Sequence, residues 1–296
     1  MNFGRLITAM ATPFEDDGEH IDRHRLSILI EHLLSSGTTT IIVAGTTGES
    51  PTLSHQEKLT LLEWTMEIVN HRVPVMLGAG TNDTKSSVAL AREAESMGAD
   101  GLLLVAPYYN RPNQEGLYAH FATIADAVQI PIMLYNVPTR TSSNIEPDTV
   151  LKLAQIPHVF ALKEATSDMS QILRIAADKP DDFYLYSGDD KLTLPILSVG
   201  GYGVVSVASH LVGREMTQMI EAYVAGNIQE AARWSGMLLS LYEALFMSTS
   251  PGPLKWSLEA IGVPVGSTRL PVTMPPAQVC ERLRKELLRL DYLQSI

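Results

Sequence analysis

The sequence predicts an α/β fold, a (β/α)8 barrel followed by a C-terminal helical segment, and three observations carry that expectation. Eight short apolar runs rich in β-forming residues recur through the first 207 residues. Stretches with helical periodicity and capping residues separate them. Several runs are apolar almost throughout, as strands buried on both faces of a parallel sheet must be.

The runs are 6–10, 40–44, 74–79, 101–106, 130–136, 159–163, 183–187 and 203–207. Their spacing of roughly 20 to 35 residues is that of one strand-plus-helix unit. Between them, Ser54 stands three residues before Glu57 and opens an amphipathic stretch to Val69, the pattern of a capping box. Asp83 or Thr84 can cap a helix that stops near Met97-Gly98, and Ser187-Gly188-Asp189-Asp190 precedes a helical stretch at 191–199. Eight alternating units favour a closed barrel over a doubly wound sheet. After Gly226 the alternation ends: 227–247 reads as one long helix, Pro251-Gly252-Pro253 breaks the chain, and 255–261 and 276–290 are helical. The expected organisation is therefore a barrel over 1–226 and a helical domain over 227–296.

Composition narrows the function. The chain has 296 residues, 45% hydrophobic and 19% charged, which suits a large core. A net charge of −11 argues against nucleic acid as a partner, because phosphate binding needs a basic face. A single cysteine, Cys280, excludes an intrachain disulfide and thiolate zinc clusters and fits a reducing compartment. The start MNFGRLITAM lacks the basic and apolar regions of a signal peptide, and no apolar stretch reaches membrane-spanning length. A soluble cytoplasmic protein without membrane association is expected.

Lys163 is the most informative residue. It closes the apolar run Val159-Phe160-Ala161-Leu162 and is followed by Glu164-Ala165-Thr166. The carboxyl end of a barrel strand is where such folds keep their chemistry. A partly dry amine there loses preference for its charged form and can attack a carbonyl to make a Schiff base. A lysine snorkelling to the sheet rim is the plainer reading. The other lysines, Lys255 among them, lie in polar or helical stretches and do not compete. After the second run, Gly45-Thr46-Thr47-Gly48-Glu49-Ser50 offers backbone N–H groups to a small anion, although a plain turn has the same composition. Tyr108-Tyr109 follows the fourth run, and Tyr135 ends the fifth, where a phenol can shuttle protons. Arg140, in the next loop, presents a fork suited to a carboxylate. Ser187-Gly188-Asp189-Asp190 and Ser206-Val207-Ala208-Ser209, after the seventh and eighth runs, read as pocket wall, with ordinary helix capping the plainer reading. His20 and His24 stand four apart, but Ile21 occupies the glutamate position of a zincin motif. They are expected to be solvated, at the barrel end opposite the catalytic loops, and no metal is expected.

These motifs carry a resemblance. GTTGES at 45–50, PYYNRP at 107–112, LYNVPTRT at 134–141, LKEAT at 162–166, SGDD at 187–190 and GVVSVAS at 203–209 resemble the dihydrodipicolinate synthase family, pyruvate-dependent class I aldolases, along essentially the whole chain. The resemblance implies that Lys163 forms an imine with pyruvate and that Tyr135, Thr46 and Tyr109 relay protons, Tyr109 reaching a neighbouring subunit. It implies that Thr46 and Thr47 hold the pyruvate carboxylate, Arg140 binds L-aspartate 4-semialdehyde, and Gly188 and Val205 line the pocket. No cofactor is implied. Family members are homo-oligomers, usually tetramers of tight dimers. Thr249-Ser250-Pro251 departs from a common Pro-Asn-Pro. Lys58 and Ser86 stand where lysine-inhibited members have histidine and glutamate, while Ser50, His55, Asn82 and Tyr108 are retained; weak or absent lysine inhibition is the expectation. A sister aldolase, an N-acetylneuraminate or keto-deoxy sugar acid lyase, is the alternative. A catalytically dead barrel and a metal-dependent hydrolase are remoter ones.

Overall fold

Eight parallel strands alternate with helices in the computed structural model, which describes residues 3–294. The strands are β1 (Leu6–Ala9), β2 (Thr40–Val43), β3 (Val75–Gly78), β4 (Gly101–Val105), β5 (Ile132–Asn136), β6 (Val159–Glu164), β7 (Tyr184–Ser187) and β8 (Gly203–Ser206), in the order of a closed barrel. All eight fall on the runs expected from sequence, with ends shifted by at most two residues. Nearly every strand residue is buried, which is why the runs lack the polar alternation of a half-exposed sheet.

The helices are α1 (Arg23–Ser35), α2 (His55–Val69), α3 (Thr84–Ser96), α4 (Gln114–Ala125), α5 (Pro138–Thr141), α6 (Pro147–Leu153), α7 (Met169–Asp178), α8 (Thr193–Ser198), α9 (Ser209–Val224), α10 (Ile228–Ala244), α11 (Gly252–Ala260) and α12 (Ala277–Arg289). Six of them, α1, α2, α3, α4, α7 and α10, start on a side-chain cap. Ser54 and Glu57 form a reciprocal capping box on α2, and Asp83 accepts from Ser86 N–H at the start of α3. Each such cap is worth about 1 kcal/mol. The stretch expected to be helical at 191–199 is divided: a single 3-10 turn at Asp190–Leu192 precedes α8.

The chain forms two compact units, one of Met1–Val73 with Ser206–Ile296 and one of Pro74–Val205. In the first, β1 pairs with β2, and α9 packs on β1 and α10. There α12 packs on both α10 and α11. In the second, β3 through β8 pair in sequence. Between β5 and β6 the register shifts: Ile132 faces Val159 but Met133 faces Ala161, so Phe160 is the extra residue of a bulge. The helical stretches expected beyond Gly226 are present as α10, α11 and α12, and the Ser250–Pro251 bond between the first two is cis. No helix among the described residues is long and apolar enough to cross a membrane.

Candidate active site

Strands β5, β6 and β7 bring the reactive groups together through their register. Tyr135, Lys163 and Tyr186 are cross-strand partners and share one face of the sheet, while Asn136, Glu164 and Ser187 share the other. Lys163 is 5% exposed, and its Nζ lies 4.1 Å from the centroid of the Tyr135 ring. Burial pushes its ammonium down to about 7; the negative charge of Asp190 opposes that shift and the positive charge of Arg140 adds to it. An amine substantially neutral near pH 7 can attack a carbonyl carbon.

Gly188 is where it is for a steric reason. Its N–H donates to Glu164 O at 2.7 Å, and a Cβ there would come within 2.8 Å of Ala165 Cβ and 3.1 Å of Lys163 Cγ. Arg140 lies in the one-turn helix α5, begun by Pro138, and is exposed. Val205 is buried in β8. Tyr109 is 90% exposed and has a left-handed backbone, φ +74°, unusual for a residue with a bulky side chain. The loop before it is tied down by Asn82, whose Nδ2 donates to Tyr108 O at 3.2 Å.

On the opposite face of β6, Glu164 is fully buried without a cation among its hydrogen-bond partners. Its carboxyl accepts from Asn136 Nδ2 at 3.0 and 3.1 Å, Gln171 Nε2 at 3.1 Å and Thr166 N–H at 2.9 Å. Asn144 completes the cluster by accepting from Asn136 Nδ2 at 2.8 Å and donating to Gln171 Oε1 at 2.8 Å. Burial raises Glu164 to about 6 against the pull of these donors. The cluster joins the ends of β5 and β6 directly behind Tyr135 and Lys163. Sequence reasoning missed it; a glutamate closing an apolar strand was its one available signal.

Thr46 and Thr47 belong to the other compact unit, in the turn after β2. Glu49 N–H donates to Thr46 O at 3.1 Å, Ser50 N–H donates to Gly45 O at 3.2 Å, and Thr12 Oγ1 donates to Gly48 O at 2.7 Å. Ala44 (φ +51°) and Glu49 (φ +57°) bracket the turn in left-handed conformations, which cost about 1–3 kcal/mol each and persist only where the surroundings impose them. Thr47 is buried and Thr46 half-buried.

Lys58 is half-buried in α2, and burial lowers its ammonium below the usual lysine range. Ser86 is held by Asp83, which accepts from its N–H at 2.7 Å and its hydroxyl at 2.5 Å. His20 and His24 are exposed, as expected. Their expected location is corrected: α1 follows the carboxyl end of β1, so in a parallel β/α unit its start lies at the same end of the strands as the catalytic loops. No group of three His, Cys, Asp or Glu residues suited to a metal ion occurs among the described residues.

The sequence model of the Dihydrodipicolinate synthetase family matches residues 2–289. A 4-hydroxy-tetrahydrodipicolinate synthase of Bacillus subtilis (strain 168) is 52% identical over 284 residues, 96% of this chain and 97% of that protein. One from Moorella thermoacetica is 46% identical over 287 residues, 97% and 98% of the two chains. Among solved structures, dihydrodipicolinate synthase from Cyanidioschyzon merolae with lysine bound is 45% identical. It superposes with a TM-score of 0.97 over 98% of this chain and 99% of that one.

Proposed function

Because this chain belongs to the dihydrodipicolinate synthetase family, we propose that it condenses pyruvate with L-aspartate 4-semialdehyde through an imine on Lys163. The product is 4-hydroxy-tetrahydrodipicolinate, a precursor of diaminopimelate and lysine. The observation that carries the reading is a buried lysine at the end of β6, its Nζ 4.1 Å from the centre of the Tyr135 ring and its ammonium pushed down to about 7 by burial.

The steps follow from ordinary imine chemistry. The neutral Lys163 amine adds to the keto carbon of pyruvate, and loss of water leaves a protonated imine. That cation is an electron sink, so a methyl proton departs and an enamine forms. The enamine carbon attacks the aldehyde carbon of the second substrate. Its amine then closes on the imine carbon and expels Lys163 as the free amine. Tyr135, with Thr46 and Tyr109, carries protons between these steps. Thr46 and Thr47 hold the pyruvate carboxylate, Gly188 and Val205 line the pocket, and Arg140 selects an aldehyde that also bears an acid.

On this reading residues 1–226 are the catalytic barrel and 227–296 a helical segment serving it. The enzyme works in the cytoplasm as a homo-oligomer; the 90% exposed Tyr109 supports a site completed by a second copy of the chain. Borohydride reduction in the presence of pyruvate tests the core claim. A stable mass adduct confined to a peptide containing Lys163 is expected, and its absence would overturn the proposal. Comparing aspartate semialdehyde with a sugar acid as substrate separates this enzyme from a sister aldolase.

A further inference from the structure

None of the steps above uses Lys255 or Glu49, yet these two residues form a buried ion pair. Lys255 is 0% exposed and Glu49 3%. Lys255 Nζ lies 2.7 Å from Glu49 Oε1 and donates to Ser267 O at 2.7 Å. Glu49 Oε1 makes no aligned hydrogen bond, so the ammonium is its compensation, while Oε2 accepts Arg269 N–H at 2.9 Å. The Lys255 ammonium and the Arg269 guanidinium each stand 4.2 Å from the centre of the Phe14 ring. The guanidinium is engaged elsewhere, donating to Gly18 O, Glu19 O, Thr52 O and Glu57 Oε1.

We infer that Lys255 is a positioning residue for the turn at 45–50, acting through Glu49, and that the C-terminal segment thereby sets how that turn meets a keto-acid carboxylate. The inference rests on the reading that Thr46 and Thr47 hold that carboxylate. Glu49 is the hinge of the turn: its left-handed backbone reverses the chain, its N–H closes on Thr46 O, and its own carbonyl accepts from Thr52 Oγ1 at 3.0 Å. Moving the Glu49 side chain therefore moves Thr46. A buried ion pair is a poor device for stability alone, since apolar residues of similar volume do as well or better. It is a good device for fixing direction, because a carboxylate shared between one ammonium and one backbone N–H has a single satisfactory orientation. Desolvation brings Lys255 down to about 8 although Glu49 holds it up, so the ammonium keeps its charge near neutral pH.

The experiment compares K255M, E49Q and the E49Q/K255M double variant by steady-state kinetics and by borohydride trapping with pyruvate. K255M strands a buried carboxylate, and its KM for pyruvate is expected to rise about tenfold, a loss of about 1.4 kcal/mol. Its kcat at saturating pyruvate is expected to fall by a smaller factor, about threefold, because Thr46, which moves with the turn, also belongs to the proposed proton relay. E49Q is expected to raise KM in the same direction. The double variant is expected to raise KM no further than either single variant does, because both substitutions remove the same positioning contact and the two sites are coupled. An unchanged KM in K255M, or penalties that simply add in the double variant, overturns the inference. Should K255M not accumulate as folded protein, E49Q and the double variant make the same comparison, and equal KM values for E49Q and wild type overturn it. Failure to trap pyruvate on wild-type Lys163 overturns the underlying reading as well, so the two failures are distinguishable.

Discussion

Lys163 and Glu164, neighbours in β6, project to opposite faces of the strand, and burial moves both toward their neutral forms, the amine to about 7 and the carboxyl to about 6. Each shift has the sign expected for a charge taken out of water. The two groups differ in use: one is the nucleophile of the proposed mechanism, the other the centre of a hydrogen-bonded anchor.

Imine formation on Lys163 is expected to rise with pH through about 7 and level off above 8, rather than climbing toward the ordinary lysine range. Rates of pyruvate trapping measured from pH 5 to 10 check this. Arg140→Ala removes a positive neighbour and is expected to move the midpoint upward; Asp190→Asn removes a negative one and is expected to move it downward. Midpoints unmoved in both variants would refute the electrostatic assignment.

The raised Glu164 carboxyl links stability to pH. Between the ordinary 4.5 and the folded value of about 6, the folded chain binds the proton more tightly than the unfolded one. Stability is therefore expected to fall across that window as pH rises, by up to about 2 kcal/mol. Glu164→Gln keeps the shape and removes the titration, so its urea midpoint is expected to be flatter from pH 4.5 to 6.5 than that of wild type. Equal slopes would exclude Glu164 as the source.

Arg140→Ala is expected to raise KM for aspartate semialdehyde roughly 10- to 100-fold, the value of a charge-assisted carboxylate contact. Pyruvate trapping on Lys163 at a pH above both midpoints should survive. Loss of trapping with no change in KM for the aldehyde would place Arg140 on the wrong substrate.

Lysine is expected to inhibit weakly or not at all. Lys58 sets a cation where lysine-inhibited relatives have histidine, and Ser86, bonded to Asp83, supplies no replacement for their glutamate. Half-inhibition by sub-millimolar lysine in a rate assay would contradict this. Lys58→His with Ser86→Glu is expected to increase sensitivity.

The fold was legible because its strands are apolar on both faces and its caps use local chemistry: a serine and a glutamate three apart announce α2 without reference to anything distant. Lys163 and Tyr135 were legible for a related reason, since a polar residue ending an apolar run must be delivered somewhere. Lys255 was rightly read as a lysine of a helical stretch, since it lies in α11, but nothing local showed its surroundings. It is buried, and its partner Glu49 comes from the far end of the chain, a pairing no local pattern encodes. The bulge at Phe160 was equally hidden, because one extra residue in an apolar run leaves no compositional mark.

The hydrogen bond from Arg269 N–H to Glu49 joins positions 220 residues apart. During synthesis the turn after β2 leaves the ribosome long before the segment that secures it, so this contact forms only once residue 269 has emerged. A chain shortened before residue 255 would still carry both threonines and would lack the two residues that brace their turn through Glu49.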